Sequence, residues 1–153
     1  MSSILCAQNV FTVVYATSED DFVNVRERPS AKAKVLTQLW AMNHGLGSGV
    51  LLERKGAWTK VSVWGVTGWA YSKYVGTQTW YDGTGDRVLV AEAPETHLYG
   101  ENYADEGPLP LFATVKRGTI LADHFEESKD YYELRTGHDY LFIRKDEAVV
   151  KRR

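Results

Sequence analysis

A chain of 153 residues is one medium domain or two small ones, and 44% apolar with 25% charged residues is the composition of a folded globular protein, not a disordered one. Eighteen basic against twenty acidic residues leave a net charge of −2, which argues against nucleic-acid or anionic-membrane partners, and no run approaches the roughly 18 apolar residues of a spanning helix, so no membrane insertion is expected. One cysteine, Cys6, excludes an internal disulfide, a Cys-x-x-Cys redox pair and a multi-cysteine zinc site.

Residues 1–8 open apolar and small, with Leu5-Cys6-Ala7 before polar Gln8-Asn9. They read as the end of a secretory signal peptide without its charged start; a plain N-terminus is the other reading. The large Leu5 disfavours a lipidated Cys6. A signal remnant implies a secreted, periplasmic or cell-envelope location.

The rest reads as strands. Val10-Phe11-Thr12-Val13-Val14-Tyr15 is β-branched and aromatic, and Lys34 to Trp40 follows a turn at Pro29-Ser30. Val50-Leu51-Leu52-Glu53 ends at Arg54-Lys55-Gly56. Trp58 to Trp64 and Trp69-Ala70-Tyr71 flank Gly65-Val66-Thr67-Gly68 as a hairpin, with Val61 and Val63 on one face and Trp58, Lys60, Ser62 and Trp64 on the other. Apolar residues nowhere keep helical spacing for three turns, so the fold class is all-β.

Gly76 to Asp86 is rich in Gly, Thr and Asp and divides the chain. Residues 9–76 form a first unit, 77–87 a linker and 88–153 a second unit. Residues 1–76 carry 8 basic and 5 acidic residues, and 77–153 carry 10 and 15, so the halves differ in sign. They also read as a diverged repeat. Asn24-Val25-Arg26 lies over His97-Leu98-Tyr99 and Trp58-Thr59-Lys60-Val61 over Tyr131-Tyr132-Glu133-Leu134, both at an offset of 73; Gly68-Trp69-Ala70 lies over Asp139-Tyr140-Leu141 at 71.

Four motifs in order mark residues 22–76. They are Asn24-Val25-Arg26 with Pro29-Ser30; Val35, Leu36 and Leu39; Trp58-Thr59-Lys60-Val61; and Gly68-Trp69 closing at Tyr74. In these the segment resembles a bacterial SH3 domain. One departure is Met42 where that family places glycine, beside the glycine-rich Gly45 to Gly49. The second half keeps Thr114 to Thr119 but has lost Pro-Ser and both tryptophans. The resemblance implies two tandem small SH3-like β-barrels. It further implies a targeting or interaction role in the cell envelope, with aromatic grooves that hold extended peptides.

Catalytic signals are few. His44, His97, His124 and His138 are scattered, and His124 with Asp123 or His138 with Asp139 reads better as a solvated pair than as metal ligands. Ser48 lies in Gly47-Ser48-Gly49, not in a nucleophile elbow, and that glycine run lacks the lysine of a phosphate loop. Glu19-Asp20-Asp21 and Glu126-Glu127 read as solvated acids. No cofactor, metal or catalytic residue is expected. Exposed aromatics are the binding candidates: Trp40, Trp64, Tyr71, Trp80 and Tyr81. Trp80 and Tyr81 could line a cleft or join the two units, and Trp58 and Trp69 read as supports. The expected function is non-enzymatic binding of cell-wall peptide or glycan. A protein-interaction or inhibitor module using a composite face is the alternative, and an accessory wall hydrolase the third.

Overall fold

The computed structural model describes residues 9–42, 48–102, 107–136 and 139–153. The suspected signal remnant, Cys6, His44, His138 and Gly45 to Gly47 lie outside the described residues. Among those residues the chain is all-β, with no α-helix, as the period-two apolar pattern requires.

Two compact units are present. The first spans Thr12–Gln78, together with Thr136 and Asp139. Its strands are β1 (Val13–Ala16), β2 (Phe22–Arg26), β3 (Val35–Trp40), β4 (Gly49–Lys55), β5 (Trp58–Val63), β6 (Val66–Tyr71) and β7 (Val75–Gln78), with a 3-10 turn at Ser72–Tyr74. They form one antiparallel sheet in the order β3-β2-β6-β5-β4-β1-β7. Alternate residues of β5, namely Thr59, Val61 and Val63, are buried, and the two valines pack with Val14, Val23, Val25, Leu39, Ala70 and Val75.

The second unit holds Thr79–Arg135, Tyr140–Arg153 and, at the start of the described chain, residues 9–11. Its strands are β8 (Arg87–Ala91), β9 (Glu95–Tyr99), β10 (Leu111–Lys116), β11 (Ile120–Ala122), β12 (Glu126–Glu127), β13 (Tyr131–Thr136), β14 (Asp139–Arg144) and β15 (Ala148–Arg152). They form two sheets, β10-β9-β14-β13-β12 and β11-β8-β15. Read one after the other, these repeat the first unit's order, with β4 replaced by two pieces. In the first unit β4 pairs with both β1 and β5; in the second, β11 pairs with β8 and β12 with β13.

Hydrogen-bond register fixes the repeat offset. Arg26 opposes Trp69 in the first unit, and Tyr99 opposes Phe142 in the second, each 73 residues on. Trp69 therefore corresponds to Phe142, not to Tyr140 as the offset of 71 had it. The fully buried Ala70 corresponds likewise to the fully buried Ile143.

The β5–β6 hairpin differs from the expected four-residue loop. Val63 pairs with Val66, so the loop is only Trp64-Gly65, with φ of 50° and 90°. Positive φ at both central positions marks a type I′ turn, whose twist matches the flanking strands. Gly68 thus lies inside β6. It is required by a close approach, since a Cβ there would sit 2.7 Å from the Arg26 carbonyl oxygen and 2.7 Å from a Val25 methyl. The expected linker also differs. Thr77 and Gln78 belong to β7, and Trp80, bridged to Ala122, is core in the second unit with 8% of its surface exposed.

Candidate functional site

A groove in the first unit has a volume of about 970 Å³. Its floor and wall are the rings of Phe22, Trp58, Tyr71 and Tyr74; Glu19 and Asp20 form one lip, and Arg26 and Lys73 also line it. Sequence periodicity explains the wall. Trp58 opens β5 and Tyr71 ends β6, and the antiparallel pairing of these strands sets the two residues opposite each other on the non-core face. Their rings meet edge to face at 5.7 Å, and Tyr71 meets Tyr74 the same way at 5.8 Å. Such contacts suit the ring quadrupoles and leave faces open. Tyr71 and Tyr74 keep 40% and 37% of their surface exposed.

The 3-10 turn is anchored from below. The Ser72 hydroxyl bonds the Thr59 hydroxyl at 2.7 Å and donates to the Gly56 carbonyl at 3.0 Å, while the Ser72 amide donates to Ala57 at 2.8 Å. The acidic lip, Thr17–Asp21, is tied to this turn by the Thr17 amide donating to the Tyr74 carbonyl at 3.0 Å. Within the lip, the Asp21 amide donates to Ser18 at 3.1 Å, and Asp21 adopts a φ of 65°. Glu19 and Asp20 are exposed, as expected of solvated acids, join no ion pair among the described residues, and edge the groove. The Lys73 ammonium lies 5.7 Å from the centre of the Tyr74 ring, and an Arg26 guanidinium N–H donates to the Ala33 carbonyl at 2.9 Å.

Of the five aromatics expected to bind, only Tyr71 lines this groove. Trp40 stands behind it, its ring 5.3 Å from that of Phe22. Trp64 is half-buried and packs on the first unit's core, because its positive φ turns it off the exposed face that alternation assigned to it. Trp80 is stacked on Phe11 at 6.0 Å, and its indole N–H donates to the Arg135 carbonyl at 2.9 Å. Tyr81 accepts a hydrogen bond from Arg153 at 2.9 Å, with that guanidinium over its ring at 5.3 Å. Trp58, expected as a support, is a groove residue, and Trp69 carries the Lys60 ammonium at 5.9 Å. Phe22 and Tyr74 were missed. The signal available was position, since both sit one turn or strand end away from Trp58 and Tyr71.

The second unit contains a polar cluster, Asp82, Asp123 and His124, whose ligand-capable atoms lie within 4.8 Å of one another. It does not suit a cation. Both oxygens of the buried Asp123 face donors, accepting the amides of Asp82 at 3.1 Å, Gly83 at 2.9 Å and Gly85 at 3.0 Å, with the Arg153 guanidinium at 3.8 Å. Burial pushes the Asp123 carboxyl up, and the Asp82 and Gly85 amides more than offset this, so the net shift is down. Asp82 is held well below the carboxylate range by the Thr84 hydroxyl and amide and by His124, which lies 2.8 Å away. The hydrogen bond to Asp82 in turn raises His124. Asp123 and His124 are therefore not a solvated pair: they staple the Asp82–Asp86 loop to the end of β11.

No family model matches the chain, and no curated protein matches it. Among solved structures it is similar to an NlpC/P60 family protein from Bacillus cereus, at 15% identity and a TM-score of 0.37, over 92% of this chain and 56% of that one. A likeness at this level assigns neither a family nor an activity to the chain.

Proposed function

We propose that the chain is a tandem of two SH3-like units that acts as a non-enzymatic binding module of the cell envelope, with an extended wall peptide seated in the Phe22–Trp58–Tyr71–Tyr74 groove. The observation that carries this reading is the groove itself. Four aromatic rings line one open channel flanked by cations and by acids that join no ion pair among the described residues, which suits a recognition surface. The motif order over residues 22–76 and the strand order shared by both units support the SH3-like assignment.

The test is co-sedimentation of the purified protein with cell-wall sacculi. Retention above a control protein is expected, weakened about tenfold by Trp58→Ala. No retention removes the reading. Zymography on the same wall material is expected to give no clearing, and a cleared band would establish the hydrolase instead.

A further inference from the structure

The two units carry the same groove position with opposite chemistry. The offset of 73 holds here in hydrogen bonding as well as in sequence: Ser72 N–H donates to Ala57 at 2.8 Å, and Lys145 N–H donates to Asp130 at 3.0 Å. A concavity of about 370 Å³ in the second unit is lined by Lys129, Asp130, Tyr131, Arg144, Lys145 and Asp146. These are the counterparts of Gly56 to Trp58 and Tyr71 to Lys73.

Three differences separate them. Tyr71 is replaced by Arg144, whose guanidinium is held bidentately by Asp146 at 3.2 and 3.1 Å. Tyr74 is replaced by Glu147, which accepts both the ring Nδ1 of His97 at 2.8 Å and the His97 amide at 2.9 Å; His97 stands where the first unit has Asn24. The loop carrying the acidic lip, Thr17–Asp21 between β1 and β2, shrinks to residues 92–94 between β8 and β9. The Arg144–Asp146 pair satisfies its own charge, and this face has no rings at the positions of Tyr71 and Tyr74.

We infer that the chain holds one peptide, in the first unit alone, and that the peptide presents an ammonium group to the Glu19–Asp20 lip. This rests on the proposed binding function and narrows it. The lip has two carboxylates that join no ion pair among the described residues, beside open aromatic faces, and an ammonium is the group that both attract. The second unit's face lacks the Tyr71 and Tyr74 rings, and its counterpart of the lip loop is only residues 92–94.

The test is a calorimetric titration of the whole chain with a synthetic wall stem pentapeptide, its N-terminus acetylated and lysine at its third position carrying the only ammonium, beside the form also acetylated at Nε. One peptide per chain is expected, with binding about three- to tenfold weaker after acetylation. The isosteric double variant E19Q/D20N, altered only at exposed positions, is expected to lose the same factor and to stop distinguishing the two peptides. Tyr131→Ala and Arg144→Ala are expected to leave affinity and stoichiometry unchanged. Two peptides per chain, or a loss in Tyr131→Ala equal to that in Trp58→Ala, overturns the single site. Equal binding of the acetylated peptide overturns the ammonium assignment. If neither peptide binds, the inference falls; sacculus retention of the same sample then shows whether the broader function stands or falls with it.

Discussion

At the residue scale, Trp58 and Trp64 share the face that strand alternation gives them but not its fate. Both lie on the polar face of the same alternating run, but Trp64 occupies the first central position of a type I′ turn, where φ is 50° and the side chain swings onto the core. A bulky residue at positive φ is strained and persists only because its packing holds it there. Trp64→Ala is therefore expected to lower unfolding free energy by about 1–3 kcal/mol while leaving sacculus binding intact, as read by denaturant titration and co-sedimentation. Trp58→Ala is expected to do the reverse. Gly68 gives a second residue-level prediction. A methyl group there meets the Arg26 carbonyl and Val25 at 2.7 Å, so Gly68→Ala is expected to cost about 1–3 kcal/mol by forcing β2 and β6 apart.

At the element scale, two short connections do more than join strands. The 3-10 turn at Ser72–Tyr74 sets two of the groove rings, and its anchor is the fully buried Thr59 hydroxyl. Ser72→Ala orphans that hydroxyl, and a loss of about 1–3 kcal/mol with weaker peptide binding is expected. The Asp82–Asp86 loop is held by Asp123. A carboxyl whose folded pKa lies below its ordinary value of 3.8 stabilises the fold above that pH and stops doing so as pH falls through the folded value. His124, raised from 6.5, has the opposite sign: its contribution is complete below that pH and fades as pH rises past the elevated value. The staple is thus complete between about pH 4 and 6.5. Acid titration followed by fluorescence of the buried Trp80 is expected to show loosening below pH 4, and Asp123→Asn is expected to abolish that transition.

At the scale of the whole molecule, the chain is one strand order used twice. The buried triplet Val25, Val61 and Ala70 recurs as Leu98, Leu134 and Ile143, all with essentially no exposed surface. Amide exchange is expected to be slowest at both triplets, and a single protected set in one unit would contradict the repeat. Most of this was legible in the residues. Alternation and β-branching place the strands because side-chain direction in a strand is a local property with period two, and the Asn24-Val25-Arg26 and Trp58 anchors sit at the offset the hydrogen bonds confirm. What alternation cannot distinguish is a slip of two, which keeps every side chain on its face; this is why Trp69 was matched to Tyr140, when Phe142 is its partner in the repeat. Nor can it show which exposed rings share a surface. Trp40, Trp64, Trp80 and Tyr81 look as available as Tyr71 in the sequence, and their fates differ because a positive φ, a neighbouring ring or a distant carbonyl captures each one. Periodicity belongs to the chain, whereas register, turn type and the meeting of Trp58 with Tyr71, Tyr74, Glu19 and Asp20 arise from contacts between segments far apart in it.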